Sequence, residues 1–362
     1  MGTFDGILGN GPALQLLESV LASGEVAHAY LFYGPPDIGK RTVARRFGAA
    51  LVSDGDEGVK DRALRGLHPD LSEIEPDGRY TTIGQIREVV RLGANRPFEG
   101  VRQVFILRAD TLNVQAANAL LKTLEEPEGE AVFILLAASR EGVLPTVVSR
   151  AQGVRFDPVP QSDIVAFLLK RGHPKREARI AAALGRGSVG LALRYAEEDE
   201  FKKLREAIFG AGFSFNDFLE ERYRAIEEII ACAEDVGVAR EKAYLTPYSI
   251  DGEPDRRTRE AAKRAGRAAQ NRAVAEALEL LALFYRDTAV AAAGAPELVA
   301  NIDWVAEIEA LAAERPGTDW AEVARIFGEA KGKLTYNVSP EAILEVALSQ
   351  TRQKILEISP GS

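Results

Sequence analysis

A glycine-rich segment near the N-terminus has the residue types of a phosphate-binding loop. Gly34, Gly39 and Lys40 fit the pattern GxxxxGK, and an apolar, strand-like run precedes them. Backbone N–H groups at the start of a following helix favour an anion such as a nucleotide phosphate. The next position in this pattern is Ser or Thr, whose hydroxyl binds Mg²⁺. Here it is Arg41, and Thr42 follows one residue late, rotated by about 100° around the helix.

Asp37 lies inside this loop and brings a carboxylate close to where phosphates would bind. At a few ångströms and surface-like screening, the repulsion would be on the order of 1–4 kcal/mol. Two interpretations of the loop stay open. In the first, a degenerate loop binds nucleotide weakly or not at all through four residues: Gly34, Gly39, Lys40 and Thr42. In the second, the loop survives only as a folding element that joins a strand to a helix.

The strand-like run at 104–110, VFILRAD, is where a hydrolysing site of this class would need acids. An acidic group at such a strand end holds Mg²⁺ and orients the attacking water. Leu107 cannot ligate a hard cation, and Arg108 repels one. The sequence therefore predicts that the chain does not hydrolyse ATP.

Two motifs that follow this strand carry a family resemblance. Residues 117–127 read ANALLKTLEEP, and residues 144–150 read LPTVVSR. In these motifs the chain resembles the clamp-loader family of AAA+ proteins, most closely the delta-prime group of bacterial DNA polymerase III. The second motif is similar to the family's SRC motif, with Ala151 in the place of the cysteine. The resemblance covers residues 4 to about 198 well, and the remainder only by helical character and position.

The resemblance assigns Arg150, with Ser149 beside it, the role of an arginine finger that reaches into a neighbouring subunit's ATP site. Such a finger stabilises charge on the transferring phosphoryl group and is worth ~10³–10⁵ in rate. A guanidinium suits this work because it stays charged and presents a rigid fork of donors. The alternative is a surface arginine in an ordinary intramolecular ion pair.

The resemblance also implies that nucleotide-sensing and metal-binding positions are lost. Ser139 is the polar residue left near the expected first sensor, and Gly190 stands where a lid arginine would act as the second. ATP binding is therefore expected to be weak or absent. The family's four-cysteine zinc module would lie within Leu51–Leu67, which contains no cysteine, so His68 lacks the partners that structural zinc needs. We expect no cofactor and no zinc.

The segment 256–272 contains seven basic residues. Arg256, Arg259, Lys263 and Arg267 share one helical stripe, which suits contact with DNA phosphates. Because no aromatic residue lies among them, we favour a solvated helix face over a DNA contact.

The elements that must position these residues alternate in the first part of the chain. Apolar runs at 29–34, 104–107, 131–138 and 153–156 are separated by helix-like segments, which indicates a parallel sheet covered by helices. Together with the resemblance, this predicts an α/β AAA+ P-loop core at 1–158, a helical lid at 159–200 and an all-α collar or oligomerisation domain at 201–362. Within the collar, helices are predicted at 216–236, 256–290, 303–314, 318–331 and 340–357, with a loop at 237–255.

Composition narrows the class of protein further. The 362 residues are 46% hydrophobic and 27% charged, as in ordinary globular proteins. A net charge of −9 argues against a protein that coats nucleic acid non-specifically. The N-terminal residues do not read as a signal peptide, and Cys232 alone cannot form an internal disulfide framework, so a cytoplasmic protein is expected.

The resemblance implies a non-hydrolysing subunit of the DNA polymerase III clamp loader. It would stand in a five-membered ring with the motor and delta subunits and act on the sliding clamp and primed DNA, with no membrane. The holoenzyme is a DNA-directed DNA polymerase, a nucleotidyltransferase, but polymerisation belongs to another of its subunits. The alternatives are an active AAA+ ATPase, such as the loader's motor subunit, and an isolated nucleotide-binding module outside replication.

Overall fold

The computed structural model describes residues 2–76, 80–126, 129–213, 219–246, 255–334 and 338–356. The chain divides into two compact units, Met1–Ala178 with Gly185–Ala192, and Arg179–Leu184 with Leu193–Ser362. The domain boundaries near residues 158 and 200 stay predictions. Within the described residues, no helix combines the length and the apolar character that crossing a membrane requires.

A five-stranded sheet forms the centre of the first unit. Its neighbouring strands are all parallel, in the order β2-β3-β4-β1-β5. This confirms the α/β core that the alternating apolar runs predict. One strand escapes prediction because it is short and only its first residue is buried. The strands are β1 (Ala29–Tyr33), β2 (Leu71–Ile74), β3 (Gln103–Arg108), β4 (Ala131–Ala137) and β5 (Gln152–Arg155).

Helices precede, separate and follow these strands. They are α1 (Gly11–Ser23), α2 (Lys40–Ser53), α3 (Glu57–Leu64), α4 (Ile83–Gly93), α5 (Val114–Glu125), α6 (Pro145–Val148), α7 (Gln161–Lys170), α8 (Lys175–Leu184) and α9 (Val189–Glu197).

Both faces of the sheet are buried, as is usual for parallel sheets. Along β3, Val104 and Ile106 belong to one apolar cluster, and Phe105 and Leu107 belong to another. Because successive side chains in a strand point to opposite faces, the two clusters lie on the two sides of the sheet.

The strand register brings the predicted site residues to one edge of the sheet. Tyr33, the last residue of β1, pairs with Ala137 at the end of β4, and Arg108 of β3 pairs with Leu136. The glycine-rich loop, the Arg108 position and the first-sensor position therefore follow neighbouring strand ends.

The described part of the second unit is helical. The predicted helices in this region are present with shifted ends, preceded by one more helix, α10 (Asp199–Phe213). They are α11 (Leu219–Leu245), α12 (Arg256–Ala292), α13 (Val305–Glu314), α14 (Trp320–Lys333) and α15 (Pro340–Leu356).

The loop predicted at 237–255 is wrong for almost its first half. Helix α11 continues through 237–245, while 247–254 lie outside the described residues. Helix α11 continues through Gly237. This glycine allows the backbone of α12 to pack closely against α11. A Cβ built on Gly237 would lie 3.1 Å from the carbonyl oxygen of Gly266 in α12.

Candidate functional site

The glycine-rich loop keeps the backbone geometry of a strand-loop-helix connection. Gly34 has φ +146°, and a Cβ there would lie 2.1 Å from the carbonyl oxygen of Phe156, so only glycine fits. Gly39, just before α2, has φ +94°, and Asp37 adopts the left-handed region at φ 59°. Aspartate tolerates that region better than most residues do. The backbone of the loop is therefore intact although its sequence departs from the pattern.

The Lys40 ammonium is bound by the loop's own carbonyl groups. Nζ donates to the carbonyl oxygen of Gly34 at 2.6 Å and to that of Pro35. The residue is 9% exposed, and this burial lowers the pKa of Lys40 to about 8, although Asp37 and Asp110 act in the opposite direction. Lys40 is thus already paired with oxygen acceptors before any phosphate arrives.

Arg41 takes part in an ion-pair cluster with the acidic end of β2. Its Nε donates to Glu73 at 2.7 Å, and its guanidinium also pairs with Glu75. Arg45, one turn on in α2, pairs with Glu73 as well. Thr42, the hydroxyl residue that stands one position late, is exposed. The position that would supply a Mg²⁺ ligand has become part of a surface salt bridge.

Leu107 lies in the core, and Arg108 is tied to a neighbouring acid. The Leu107 side chain is 1% exposed within an apolar cluster. Arg108 Nε lies 3.1 Å from Asp110 Oδ1, and Asp110 Oδ2 also accepts from the backbone N–H of Ala138 at 3.2 Å. Asp110, which sequence reasoning did not single out, is the carboxylate at this strand end. Its oxygens are engaged by protein donors.

The two sensor positions have local, structural contacts. Ser139 is exposed, and its hydroxyl accepts from the backbone N–H of Gly142 at 3.2 Å. Gly190 lies in the first turn of α9. Just before it, the Ser188 hydroxyl donates to the carbonyl oxygen of Asp37 and accepts from the N–H of Leu191 at 3.1 Å. The Ser188 contact, which nothing in the sequence pattern indicated, joins the start of α9 to the glycine-rich loop.

Arg150 follows α6 and is held by contacts within the chain. Its Nη1 donates to the Thr146 carbonyl at 2.9 Å and to the Ser149 hydroxyl at 3.2 Å. Its guanidinium forms an ion pair with Glu125, the last residue of α5. The Arg150 side chain is 32% exposed and that of Glu125 46%. The structure thus joins the two family motifs through one ion pair, as the alternative interpretation of Arg150 expects, and the finger role stays a prediction.

Helix α5 has one buried face and one exposed face. Ala117, Leu120 and Leu124 are buried together with Thr123, whereas the charged residues and the asparagine of the motif are exposed. The Asn113 side chain begins the helix by accepting from Ala116 N–H at 2.8 Å. The exposed face carries Asn118, Lys122, Glu125 and Glu126.

His68 and Asp70 form a buried structural pair rather than a ligand set. His68 Nδ1 accepts from the Asp70 backbone N–H at 3.2 Å. The Asp70 carboxylate accepts three backbone N–H bonds of 2.7–2.8 Å from Phe98, Glu99 and Gly100. Although burial opposes it, these bonds hold the pKa of Asp70 below its ordinary value. Among the described residues, no cluster of His, Cys, Asp or Glu has the makeup of a metal site.

Comparisons with known proteins agree with the motifs. A family model described as DNA polymerase III, delta subunit, matches residues 9–160. The DNA polymerase III subunit delta' of Pseudomonas aeruginosa is 38% identical over 135 residues, which cover 34% of this chain and 41% of that protein. The delta' subunit of Escherichia coli is 30% identical over 203 residues, 53% of this chain and 61% of that protein. The tau subunit of Bacillus subtilis is 30% identical over 178 residues, 46% of this chain and 31% of that protein.

These similarities confirm the predicted resemblance to subunits of DNA polymerase III. The chain spans between 41% and 61% of the two delta' relatives' length. Nucleotidyl transfer, which the sequence analysis attached to the whole holoenzyme, finds no support in these relatives as an activity of this chain.

Proposed function

We propose that this chain is a non-hydrolysing subunit of a clamp loader. The proposal is supported by the family match over residues 9–160 and by the similarity to delta' subunits of DNA polymerase III. In this role it braces a five-membered ring with the motor and delta subunits and supplies Arg150 to a neighbouring motor subunit. The ring loads a sliding clamp onto primed DNA during replication. The chain needs neither zinc nor bound ATP for this work, and the cytoplasm is the compartment where it acts.

The observation that carries the non-hydrolysing role is the burial of Leu107 at the end of β3. A side chain that is 1% exposed in an apolar cluster cannot be exchanged for a hydrated carboxylate by a simple rotation. Burying an unpaired charge there would cost several kcal/mol. Arg108, the next residue, is cationic and bonded to Asp110. No Mg²⁺ is therefore held at this strand end in the way that ATP hydrolysis requires.

The engagement of Lys40 supports the same conclusion from the other side of the loop. A phosphate would have to take the ammonium group from two carbonyl oxygens and would meet the nearby Asp37 carboxylate. Arg41 adds no hydroxyl, since its guanidinium is paired with Glu73 and Glu75. Nucleotide affinity is accordingly low.

The position of Arg150 supports a role at a subunit junction. The guanidinium is about one-third exposed, and its carboxylate partner Glu125 is itself exposed. An ion pair between exposed groups is worth about 0–1 kcal/mol, so Arg150 can leave Glu125 at little cost. In a ring, the freed fork would meet the γ-phosphate bound by the adjacent motor subunit.

Turnover by the isolated chain tests the non-hydrolysing role. We expect purified chain to release no phosphate from ATP above background, with or without DNA, because Leu107 and Arg41 stand where an acid and a hydroxyl would hold Mg²⁺. Lys40→Ala is the matched control, since it removes the one loop residue that a functional site would need, and it should give the same background. Turnover near ~1 per second, within the range of working kinases, that disappeared in Lys40→Ala would contradict the proposal.

That contradicting result would favour the alternative, an active motor subunit. The similarity to a tau subunit and the intact backbone of the glycine-rich loop are the observations on its side. The burial of Leu107 and the pairing of Arg41 weigh against it.

A further inference from the structure

The first turns of α12 pack closely against the last turns of α11. A Cβ built on Gly266 would lie 2.9 Å from the carbonyl oxygen of Gly237 and 3.2 Å from the Cβ of Glu241. One built on Gly237 would lie 3.2 Å from the Cβ of Gln270, so the two helices run antiparallel. The buried residues of this part of α12 are small: Ala262, Gly266, Ala269 and Ala273. Several other residues of these turns, including the charged ones described next, are exposed.

Cationic side chains occupy the outer surface of the same turns. We name as the basic stripe the residues Arg256, Arg259, Lys263, Arg264 and Arg267, all of which are exposed. At 100° per residue, four of them, all except Arg264, fall within an arc of about 80°. The stripe therefore presents its charges in one direction.

Only part of this charge is neutralised inside the chain. Arg256 pairs with Glu260, the one acidic residue between 256 and 272, and Arg259 has a contact of its own. In contrast, no carboxylate of the described residues forms an ion pair with Lys263, Arg264 or Arg267. Within the described part of the chain, these three cations of α12 have no counterion.

Charge is also segregated along the helix pair. The stretch 219–235 of α11 has six acidic and two basic residues, whereas 256–272 of α12 has seven basic residues. A surface that served only for solubility would mix both signs. A chain with a net charge of −9 thus concentrates positive charge at one end of one helix pair.

The chemistry of the stripe indicates a polyanion with a regular backbone. None of the large hydrophobic side chains exposed in the described residues lies on α12, so the stripe lacks the apolar and aromatic centre typical of a protein interface. From Arg256 to Arg267 the helix rises by about 16 Å, the axial length of about five phosphates on one strand of duplex DNA. Arginine and lysine side chains neutralise such phosphates with release of counterions.

We propose that the basic stripe of α12 binds the phosphate backbone of DNA without reading its sequence. This goes beyond the proposed function and does not rest on it, because the stripe lies outside the segment that the family model matches. It reverses the expectation from sequence, which favoured a solvated face. This change of interpretation rests on two observations. Lys263, Arg264 and Arg267 form no ion pair within the described residues, and charge is segregated along α11 and α12.

The test uses the full chain and a fluorescently labelled, mixed-sequence DNA duplex in an anisotropy titration at several salt concentrations. The triple variant Lys263→Gln, Arg264→Gln, Arg267→Gln should bind about tenfold or more weakly at low salt. The slope of log K against log salt should fall in magnitude by about three, one for each lost phosphate contact. A second duplex of unrelated sequence should give the same affinities.

A matched control separates the stripe from overall charge. Lys175→Gln, Arg176→Gln and Arg179→Gln on α8 remove the same residue types, at the same spacing, from exposed positions. We expect this control to bind DNA like the unmutated chain. The variant Lys263→Arg, Arg264→Lys, Arg267→Lys keeps the charges and should retain binding, since phosphates accept either cation. Circular dichroism and urea unfolding check that each variant is folded.

Three results would overturn the proposal. The first is unmutated chain that shows no salt-dependent DNA binding. The second is a control variant that loses as much affinity as the stripe variant, which would make the effect one of net charge. The third is unmutated chain that binds polyglutamate and not DNA, together with a triple Gln variant that no longer binds polyglutamate. The stripe would then recognise an acidic protein surface.

Discussion

At the scale of single residues, Lys40 has a titration that the fold itself controls. The residue is 9% exposed, and this burial lowers the pKa of Lys40 to about 8 from the ordinary 10.5. Folding therefore releases a proton from Lys40 between these two pH values. Below about pH 8 the lysine is charged in both states, and burial costs stability. As the pH rises from about 8 to 10.5, this cost is removed, so the contribution of Lys40 to stability becomes more favourable.

This sign can be measured with Lys40→Met, which keeps the length of the side chain and removes its charge. The free energy of unfolding of the unmutated chain, relative to that of the variant, should be constant below about pH 8 and rise by up to about 3 kcal/mol towards pH 10.5. Urea unfolding at several pH values gives both curves. Lys170→Met, at an exposed position of α7, is the control and should leave the difference flat. A flat difference for Lys40→Met itself would show that Lys40 titrates alike in both states.

The residue scale also shows what the sequence can and cannot predict about the candidate site. The replacement of expected Mg²⁺ ligands by Arg41 and Leu107 can be predicted, because the residue type alone shows that neither side chain binds the metal. The pairing of Arg150 with Glu125 cannot be predicted, because 25 residues separate the two and only the packing of α5 beside α6 brings them together. The bonds of Lys40 to Gly34 and Pro35 also depend on how the loop closes.

At the scale of elements, strands are predictable where burial is complete. β4 is buried along its whole length and reads as a continuous apolar run. β2 has one buried residue, and its Glu73 pairs with Arg41 and Arg45, so no apolar pattern reveals it. The sequence also fails to predict the part of α11 after Gly237, where it indicates a loop. A glycine in a sequence suggests a break, but here it allows a neighbouring helix to come close.

The close approach of α11 and α12 leads to a test by glycine replacement. In a helix interior, Gly→Ala usually stabilises by about 1 kcal/mol. Gly266→Ala should instead destabilise by about 1–3 kcal/mol, because its Cβ would lie 2.9 Å from the carbonyl oxygen of Gly237 and would force the helices apart. Gly210→Ala in α10 is the control, since no atom lies within 4 Å of a Cβ there, and it should stabilise. If urea unfolding found both variants stabilised, the helix contact would be looser than described.

At the scale of the whole molecule, the two units differ in whether they carry residues with a family resemblance. The first unit carries both family motifs, the degenerate loop and Arg150, and the family match lies within it. The second unit is predicted from sequence only as a set of helices, because helical periodicity predicts elements and not their purpose. The feature of this unit that we propose to be functional is the segregation of charge on α11 and α12, which becomes visible only when exposure and ion pairs are known.

The central claim is that a chain without ATP hydrolysis of its own contributes to hydrolysis by a neighbour. ATP turnover by a loader reconstituted with Arg150→Ala measures this most directly. The variant should fold and assemble, since an exposed ion pair is worth about 0–1 kcal/mol. The motor site that Arg150 serves should lose ~10³–10⁵ in rate, so total turnover should fall to the share of the other sites.

Two further variants sharpen this measurement. Arg150→Lys should fail almost as badly, because a point charge does not replace the planar fork. Arg155→Ala on β5, which removes another exposed arginine from an ion pair, should leave the rate unchanged. We predict lower ATP turnover and slower clamp loading for loaders that contain either Arg150 variant, but not for the loader that contains Arg155→Ala. Unchanged turnover and loading by an assembled Arg150→Ala loader would contradict the account and leave Arg150 as the intramolecular partner of Glu125.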